Sequence, residues 1–257
     1  MTPLPDGFLD VPLAHRGYHD ADQRCIENSR AAFAAAINAG YGIELDVQLS
    51  SDGHAMVFHD YDMTRLTGIS GPIRMQKRDD LTQTSLLGCD ETIPDLPEIL
   101  TLIAGRAPLL IEIKDQDGAM GPDVGPLENS VARALAEYTG PAAVMSFNPH
   151  AVAVLADAAP DTARGLVTGA FPADVWLLLN ESTRNHLRGV PDYDRVGASF
   201  ISHHFDDLAR ARVADLKAGG AGVISWTIRS AAEETKARKV ADTVTFEGYA
   251  AQTPLRA

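Results

Sequence analysis

Eight segments rich in Val, Ile, Leu, Phe and Thr recur along this chain, each followed by a stretch of helical spacing. That alternation leaves few folds open. The strand segments are 11–16, 42–50, 108–114, 142–147, 163–169, 198–204, 222–228 and 242–248. Helical patterns lie between them, including SRAAFAAAINAG, LPEILTLIAG, PLENSVARALAEYTG, PHAVAVLADAAP, DDLARARVADLKAGG and SAAEETKARKVA. Several open on Ser, Asp or Pro and close on Gly, the residues that start and stop helices. Strands separated by helices pair in parallel, and eight is the number that closes a (β/α)8 TIM barrel. An open, doubly wound sheet is the alternative. A length of 257 residues and 45% hydrophobic content suit a single barrel domain over residues 1–257. One interval, about 51–95, breaks the rhythm. SDG reads as a turn, so HAMVF pairs back on the second strand as a hairpin. The Gly- and Asp-rich remainder reads as a small insertion after the second strand, on the barrel rim.

The second strand, IELDVQLS, alternates Ile43, Leu45, Val47 and Leu49 with Glu44, Asp46 and Gln48. Two carboxylates therefore share one face. Barrel enzymes build their sites at the carboxyl ends of the strands. His15 and Arg16 end strand 1, Glu44 and Asp46 sit late in strand 2, and Glu112 and Lys114 end strand 3. Alternate residues on a strand are ~6.6 Å apart and neighbouring strands ~4.8 Å, so Glu44, Asp46 and Glu112 converge. Carboxylates about 5 Å apart repel by ~3 kcal/mol per pair at an effective dielectric of about 20. Oxygen-only ligands of this kind suit a hard divalent ion, Mg²⁺ or Ca²⁺, with Mn²⁺ admitted.

His15 and His59 are the candidate general acid and base, because imidazole titrates near neutrality. Asp60 either orients His59 or caps the next turn. His203 and His204 end the sixth strand near the expected pocket, whereas His54, His150 and His186 stand alone. Arg16 and Lys114 together describe a phosphate pocket. The chain has no P-loop and no GxGxxG, so no nucleotide cofactor is expected. Trp226 is either a core filler or a wall of the pocket.

A formal charge of −13 argues against a nucleic-acid surface or an anionic membrane surface. Cys25 and Cys89 have no metal or redox spacing and read as free thiols in a reducing compartment. The first residues lack a secretory pattern, and no apolar run approaches the ~20 residues of a membrane span. A soluble cytoplasmic protein is the expectation.

HRG at 15–17, EN at 27–28, ELD at 44–46, DG at 52–53, HD at 59–60, EIK at 112–114 and WT at 226–227 together resemble the glycerophosphodiester phosphodiesterase family. IPDLPEIL at 93–100 and SFNP at 146–149 carry the likeness over nearly the whole chain. The resemblance implies a TIM barrel with an insertion after the second strand. It also implies metal-dependent cleavage of glycerophosphodiesters to glycerol 3-phosphate and an alcohol. In that reading His15 and His59 are the acid–base pair, and Glu44, Asp46 and Glu112 hold a divalent metal. Arg16 and Lys114 bind phosphate, and Trp226 lies against glycerol or the leaving group. One departure stands out: family members often carry an ITD-like segment at the last strand, where this chain reads TVTFEG, so Glu247 stands in for that acid.

Two rival readings share the motifs. A phospholipase D-type relative acting on lysophospholipids needs an apolar entry surface, and a non-catalytic barrel would only bind the diester. An aromatic content of 6%, the negative charge and the mostly polar insertion GISGPIRMQKRDDLTQTS point instead to a small, soluble, deacylated substrate. No stable membrane association is expected.

Overall fold

The alternation in the second strand sorts its side chains to the two faces of a closed sheet. The structure, a computed structural model, describes residues 1–253. Its strands are β1 (Leu13–Ala14), β2 (Gly42–Leu49), β3 (Ala55–Val57), β4 (Leu109–Ile113), β5 (Ala142–Ser146), β6 (Ala163–Thr168), β7 (Phe200–His204), β8 (Gly222–Ile228) and β9 (Thr243–Phe246). Among the described residues, eight of these nine pair in parallel. The two-residue β1 bonds to both β2 and β9 and so closes the ring. β3 alone runs antiparallel, on β2, as the hairpin reading expects. The fold is a (β/α)8 barrel, and the open sheet is excluded by that closure.

Ile43, Leu45 and Val47 of β2, with Leu109, Ile111 and Ile113 of β4, pack outward under helices Arg30–Ala39 and Leu96–Ile103. Ser29 and Asp95 cap these helices by accepting from the backbone N–H of Ala32 and Glu98, as the start signals anticipate. The opposite faces point to the barrel axis. There Leu13, Leu110, Met145, Phe200 and Ile224 fill the lower interior, with Phe8 closing it from below. Gly165 is needed for this layer, because a Cβ there would lie 2.4 Å from the Phe200 ring. Glu44, Asp46 and Glu112 continue the same inward face toward the carboxyl end.

The insertion after β3 carries short helices at Thr64–Thr67 and Arg78–Leu81. It has its own apolar cluster, including Met56, Phe58, Met63, Leu66, Ile73, Leu81 and Ile93. One helix, Glu181–Gly189, was not foreseen. Leu187 is its only buried residue, so no apolar stripe advertises it, and Asn180 as cap was the sole signal.

Candidate active site

β1 ends in a turn that sets the first half of the site. Arg16 and Asn28 both adopt left-handed backbone with φ of 56°, and the Asn28 N–H donates to the Arg16 carbonyl at 2.8 Å. Such conformations cost about 1–3 kcal/mol each and persist where the surroundings enforce them. Gly17 follows with φ of 81°, and a Cβ there would stand 2.7 Å from that of Ala32. The turn lets the Arg16 N–H donate to Oε2 of Glu44 at 3.0 Å. Its guanidinium reaches Glu27 at 2.7 Å and Asp46 at 3.4 Å. Asn28 donates to the same Asp46 oxygen, Oδ2, at 3.0 Å.

Asp46 and Glu112 are direct cross-strand partners in the β2–β4 register. With Glu44 they bring one oxygen each within 4.8 Å of one another, all three buried. Lys114 sits between two of them, its Nζ 2.8 Å from Asp46 and 2.7 Å from Glu112. Burial pushes the Glu44 carboxyl well above the usual range, and the charges of Asp46 and Glu112 push it further. Burial acts the same way on Asp46, but Lys114, His59 and Arg16 overcome it and hold that carboxyl well below the usual range. Lys114 shows the mirror effect: burial lowers its ammonium, and Asp46 and Glu112 raise it above its ordinary value.

Two buried atoms of this cluster are held by ion pairs alone. Oδ1 of Asp46 has no partner beyond its ion pair with Lys114, and Nε of Arg16 has only its 3.4 Å ion pair with Oδ2 of Asp46. A buried carboxylate oxygen facing two further carboxylates fits a hard cation, and a guanidinium beside it fits an anion. The donor set therefore suits a divalent metal beside a phosphate.

Each histidine is backed by a carboxylate. Nδ1 of His15 lies 2.6 Å from Oε2 of Glu247, and its Nε2 is 4.0 Å from Glu44. Nδ1 of His59 lies 2.7 Å from Asp60, so Asp60 orients the ring. A carboxylate acceptor requires the proton on Nδ1, which frees Nε2 for proton exchange in both rings. Arg65 clamps Asp60 at 2.6 Å and Glu27 at 2.7 Å. A continuous ionic chain thus runs from His59 through Asp60, Arg65, Glu27 and Arg16 to Asp46.

Sequence reasoning missed Arg65, His19 and Arg229, and it saw Glu27 and Asn28 only as part of a motif. Nothing in the spacing of Arg65 or Arg229 announces an ion pair with Glu27 or Glu247. The other histidines are elsewhere. His203 is buried in the wall, bonded to Thr168 at 2.8 Å. His204 packs edge-on against Trp226 at 4.8 Å. His186 pairs with Asp192. Trp226 donates to the Ser202 carbonyl and meets Phe147 edge-on at 5.4 Å.

The open cleft beside Glu112 and Lys114, of about 760 Å³, is lined by His59, Tyr61, Phe147 and Trp176 as well. That size suits a small organic substrate. Phe147, Tyr61 and Trp176 are the aromatic wall that the sequence did not reveal.

The sequence model described as the Glycerophosphoryl diester phosphodiesterase family matches residues 15–244. A glycerophosphodiester phosphodiesterase of Caldanaerobacter subterraneus subsp. tengcongensis is 32% identical over 175 residues, 64% of this chain and 69% of the relative. The barrel superposes on that of an Oleispira antarctica phosphodiesterase solved with its product sn-glycerol 3-phosphate. That match has a TM-score of 0.73 and 25% identity, and covers 92% of this chain and 93% of the other. A Thermotoga maritima glycerophosphodiester phosphodiesterase shares the fold at a TM-score of 0.69, with 21% identity over 92% of this chain and 94% of the other.

Proposed function

Because the chain belongs to the glycerophosphoryl diester phosphodiesterase family and is a phosphodiesterase of that family, we propose that it hydrolyses soluble glycerophosphodiesters to glycerol 3-phosphate and an alcohol. The observation that carries the reading is the convergence of three buried carboxylates, two cations and two carboxylate-backed histidines at one barrel mouth. Glu44, Asp46 and Glu112 would hold a divalent cation, Mg²⁺ or Ca²⁺ with Mn²⁺ admitted. When bound, that ion supplies positive charge against the phosphate oxygens.

The chain's own residues do the rest. Two of the three donors of the Lys114 ammonium are taken by Asp46 and Glu112, leaving one for a phosphate oxygen. The Arg16 guanidinium adds a second cation beside it. These cations bind and orient the diester and offset charge that develops on it. His15 and His59 then divide the proton work: one removes a proton from the attacking hydroxyl, and the other delivers one to the departing alcohol. Glu247 and Asp60 hold the two rings in the required tautomer. Trp226 and Phe147 give the glycerol or leaving group an aromatic side.

Both histidines and all three carboxylates are in place, which argues against a barrel that only binds. Cys25 and Cys89 are free thiols, and no helix among the described residues is long and apolar enough to cross a membrane. Both support the cytoplasm as the proposed compartment. The test is release of glycerol 3-phosphate from glycerophosphocholine, glycerophosphoethanolamine and glycerophosphoglycerol, with and without chelator. Absence of release from every diester in the presence of Mg²⁺, Ca²⁺ and Mn²⁺ would overturn the reading.

A further inference from the structure

Glu247 has more partners than one histidine needs. Its Oε2 accepts from Nδ1–H of His15 at 2.6 Å, and its Oε1 takes Nε and Nη2 of Arg229 at 2.8 and 2.7 Å. A third group faces the same carboxylate. Nε2 of His19 lies 3.9 Å from Oε2, the oxygen that His15 uses. That nitrogen is sealed from solvent and has no hydrogen-bond partner.

These contacts are unequal. The Arg229 side chain is 62% exposed, and an ion pair so open to water is screened and weak. It also draws on the oxygen that His15 does not use, and draws it toward the solvent. His19 sits instead on the buried side, where the bond to His15 is made. A carboxylate only accepts, so the nitrogen that faces it carries the proton. At 3.9 Å the pull is that of an N–H dipole on a charge, longer than a hydrogen bond but strengthened where water is excluded. His15 first and His19 second hold the Glu247 carboxyl well below the usual carboxylate range.

The backbone presents the His19 ring firmly. Arg16 and Gly17 turn the chain back in left-handed conformation, and the His19 N–H donates to the Gly17 carbonyl at 3.0 Å. Asp20 then pairs with Cys25 through two bonds of 2.8 and 3.0 Å. His19 does not line the cleft that holds His59, Glu112 and Lys114. It lines a second open cleft of about 640 Å³, with Tyr18, Cys25 and Tyr249. Its path to the reacting atoms therefore runs through Glu247 and not through the substrate.

We propose, resting on the phosphodiesterase reading above, that His19 is a positioning residue for the reaction. Its Nε2–H opposes the outward pull of Arg229, keeps Oε2 of Glu247 against the His15 ring, and so fixes that ring during turnover.

The experiment uses His19→Ala, His19→Gln and Glu247→Gln, with thermal melts to establish that each variant is folded. His19→Ala should lower kcat for glycerophosphocholine ~10-fold with KM unchanged, because the lost contact orients a group without touching substrate. His19→Gln keeps a side-chain N–H and should recover most of that loss. In the Glu247→Gln background His19→Ala should cost nothing further, since both changes act on one contact. His19→Met, which keeps the bulk and lacks the N–H, repeats the test if the Ala variant fails to fold. Equal losses in both backgrounds would overturn the proposal, and so would a raised KM with kcat intact. The ¹⁵N spectrum of the His15 ring reads the same restraint without turnover. Its proton should stay on Nδ1 in the wild type and in His19→Gln, and divide between the two nitrogens in His19→Ala. A wild-type ring spectrum in His19→Ala would sink the proposal whatever the kinetics. Failure of the wild type to hydrolyse any diester would bring down the phosphodiesterase reading, while the ring spectrum would still decide the contact.

Discussion

Glu247 places its Oε2 2.6 Å from Nδ1 of His15, a residue 232 positions earlier in the chain. Its other oxygen is held by Arg229 at 2.7 Å. Burial lowers the His15 pKa, and the hydrogen bond from its Nδ1–H to Glu247 works against that fall. Glu247→Gln removes the opposing effect, so the His15 limb of the pH–rate profile should move to lower pH. Turnover should drop ~10–100-fold as the ring loses its fixed tautomer. A profile and rate like those of the wild type would detach Glu247 from catalysis.

His59→Gln should lower turnover by ~10²–10⁴-fold by removing a proton-transfer partner. Asp60→Asn should fall between that variant and the wild type, because the ring remains but its orientation weakens. Arg65→Lys is a sharper probe. Arg65 grips Asp60 through Nε and Nη2 and Glu27 through Nη1 and Nη2, a planar fork that an ammonium does not reproduce. Steady-state kinetics should show a lower kcat, and an unchanged kcat would mean the ionic chain is only a surface feature.

Removing divalent ions should abolish activity and lower the melting temperature, since a ligand that binds only the folded state at ~100 times its Kd stabilises it by ~2.7 kcal/mol. Lys114→Met takes away the cation between Asp46 and Glu112 and leaves two buried carboxylates facing each other. That variant should melt below the wild type in chelator and regain more than the wild type when metal is added. Thermal melts read this directly without turnover. Equal metal-induced gains in both proteins would contradict the assignment of Asp46 and Glu112 as ligands.

Acid should unfold the protein through identifiable carboxylates. Burial opposes ionisation of Asp60, yet hydrogen bonds from His59 and Arg65 bring its carboxyl well below the usual range. His15 and His19 do the same for Glu247. A depressed folded pKa gives stability that is present above the unfolded value of about 4 and is lost as pH falls through the folded one. Melting temperature should therefore decline from about pH 5 to about pH 3, and less steeply in Asp60→Asn. A parallel decline in that variant would place the acid sensitivity elsewhere.

The barrel was legible because its strands are short apolar runs at regular spacing, and the ends of each run fell within two residues of an observed strand, with β1 trimmed at both ends. There the six-residue candidate shrinks to Leu13–Ala14, because Arg16 turns into left-handed backbone. The acidic cluster was legible because Glu44 and Asp46 interrupt an alternation, and only a buried polar face explains that. The salt bridges of Arg65 and Arg229 were not, since their partners lie 38 and 18 positions away with no periodic relation. The exposed aliphatic groups of the loop after β6 were overlooked for another reason. VWLLL reads as core in a sequence, and only the structure turns Val175, Leu177 and Leu178 outward.

The two-residue β1 pairs with β9 as well as with β2, and this has a consequence for synthesis. On a ribosome, His15, Glu44, Asp46, His59 and Glu112 all emerge in the first half of the chain. The carboxylate that steadies His15 comes out near the end, after the last strand. A nascent polypeptide can thus assemble its acidic cluster early and remain inert until the ring is sealed. Onset of activity during translation would then time the docking of β9 and report the birth of the finished enzyme.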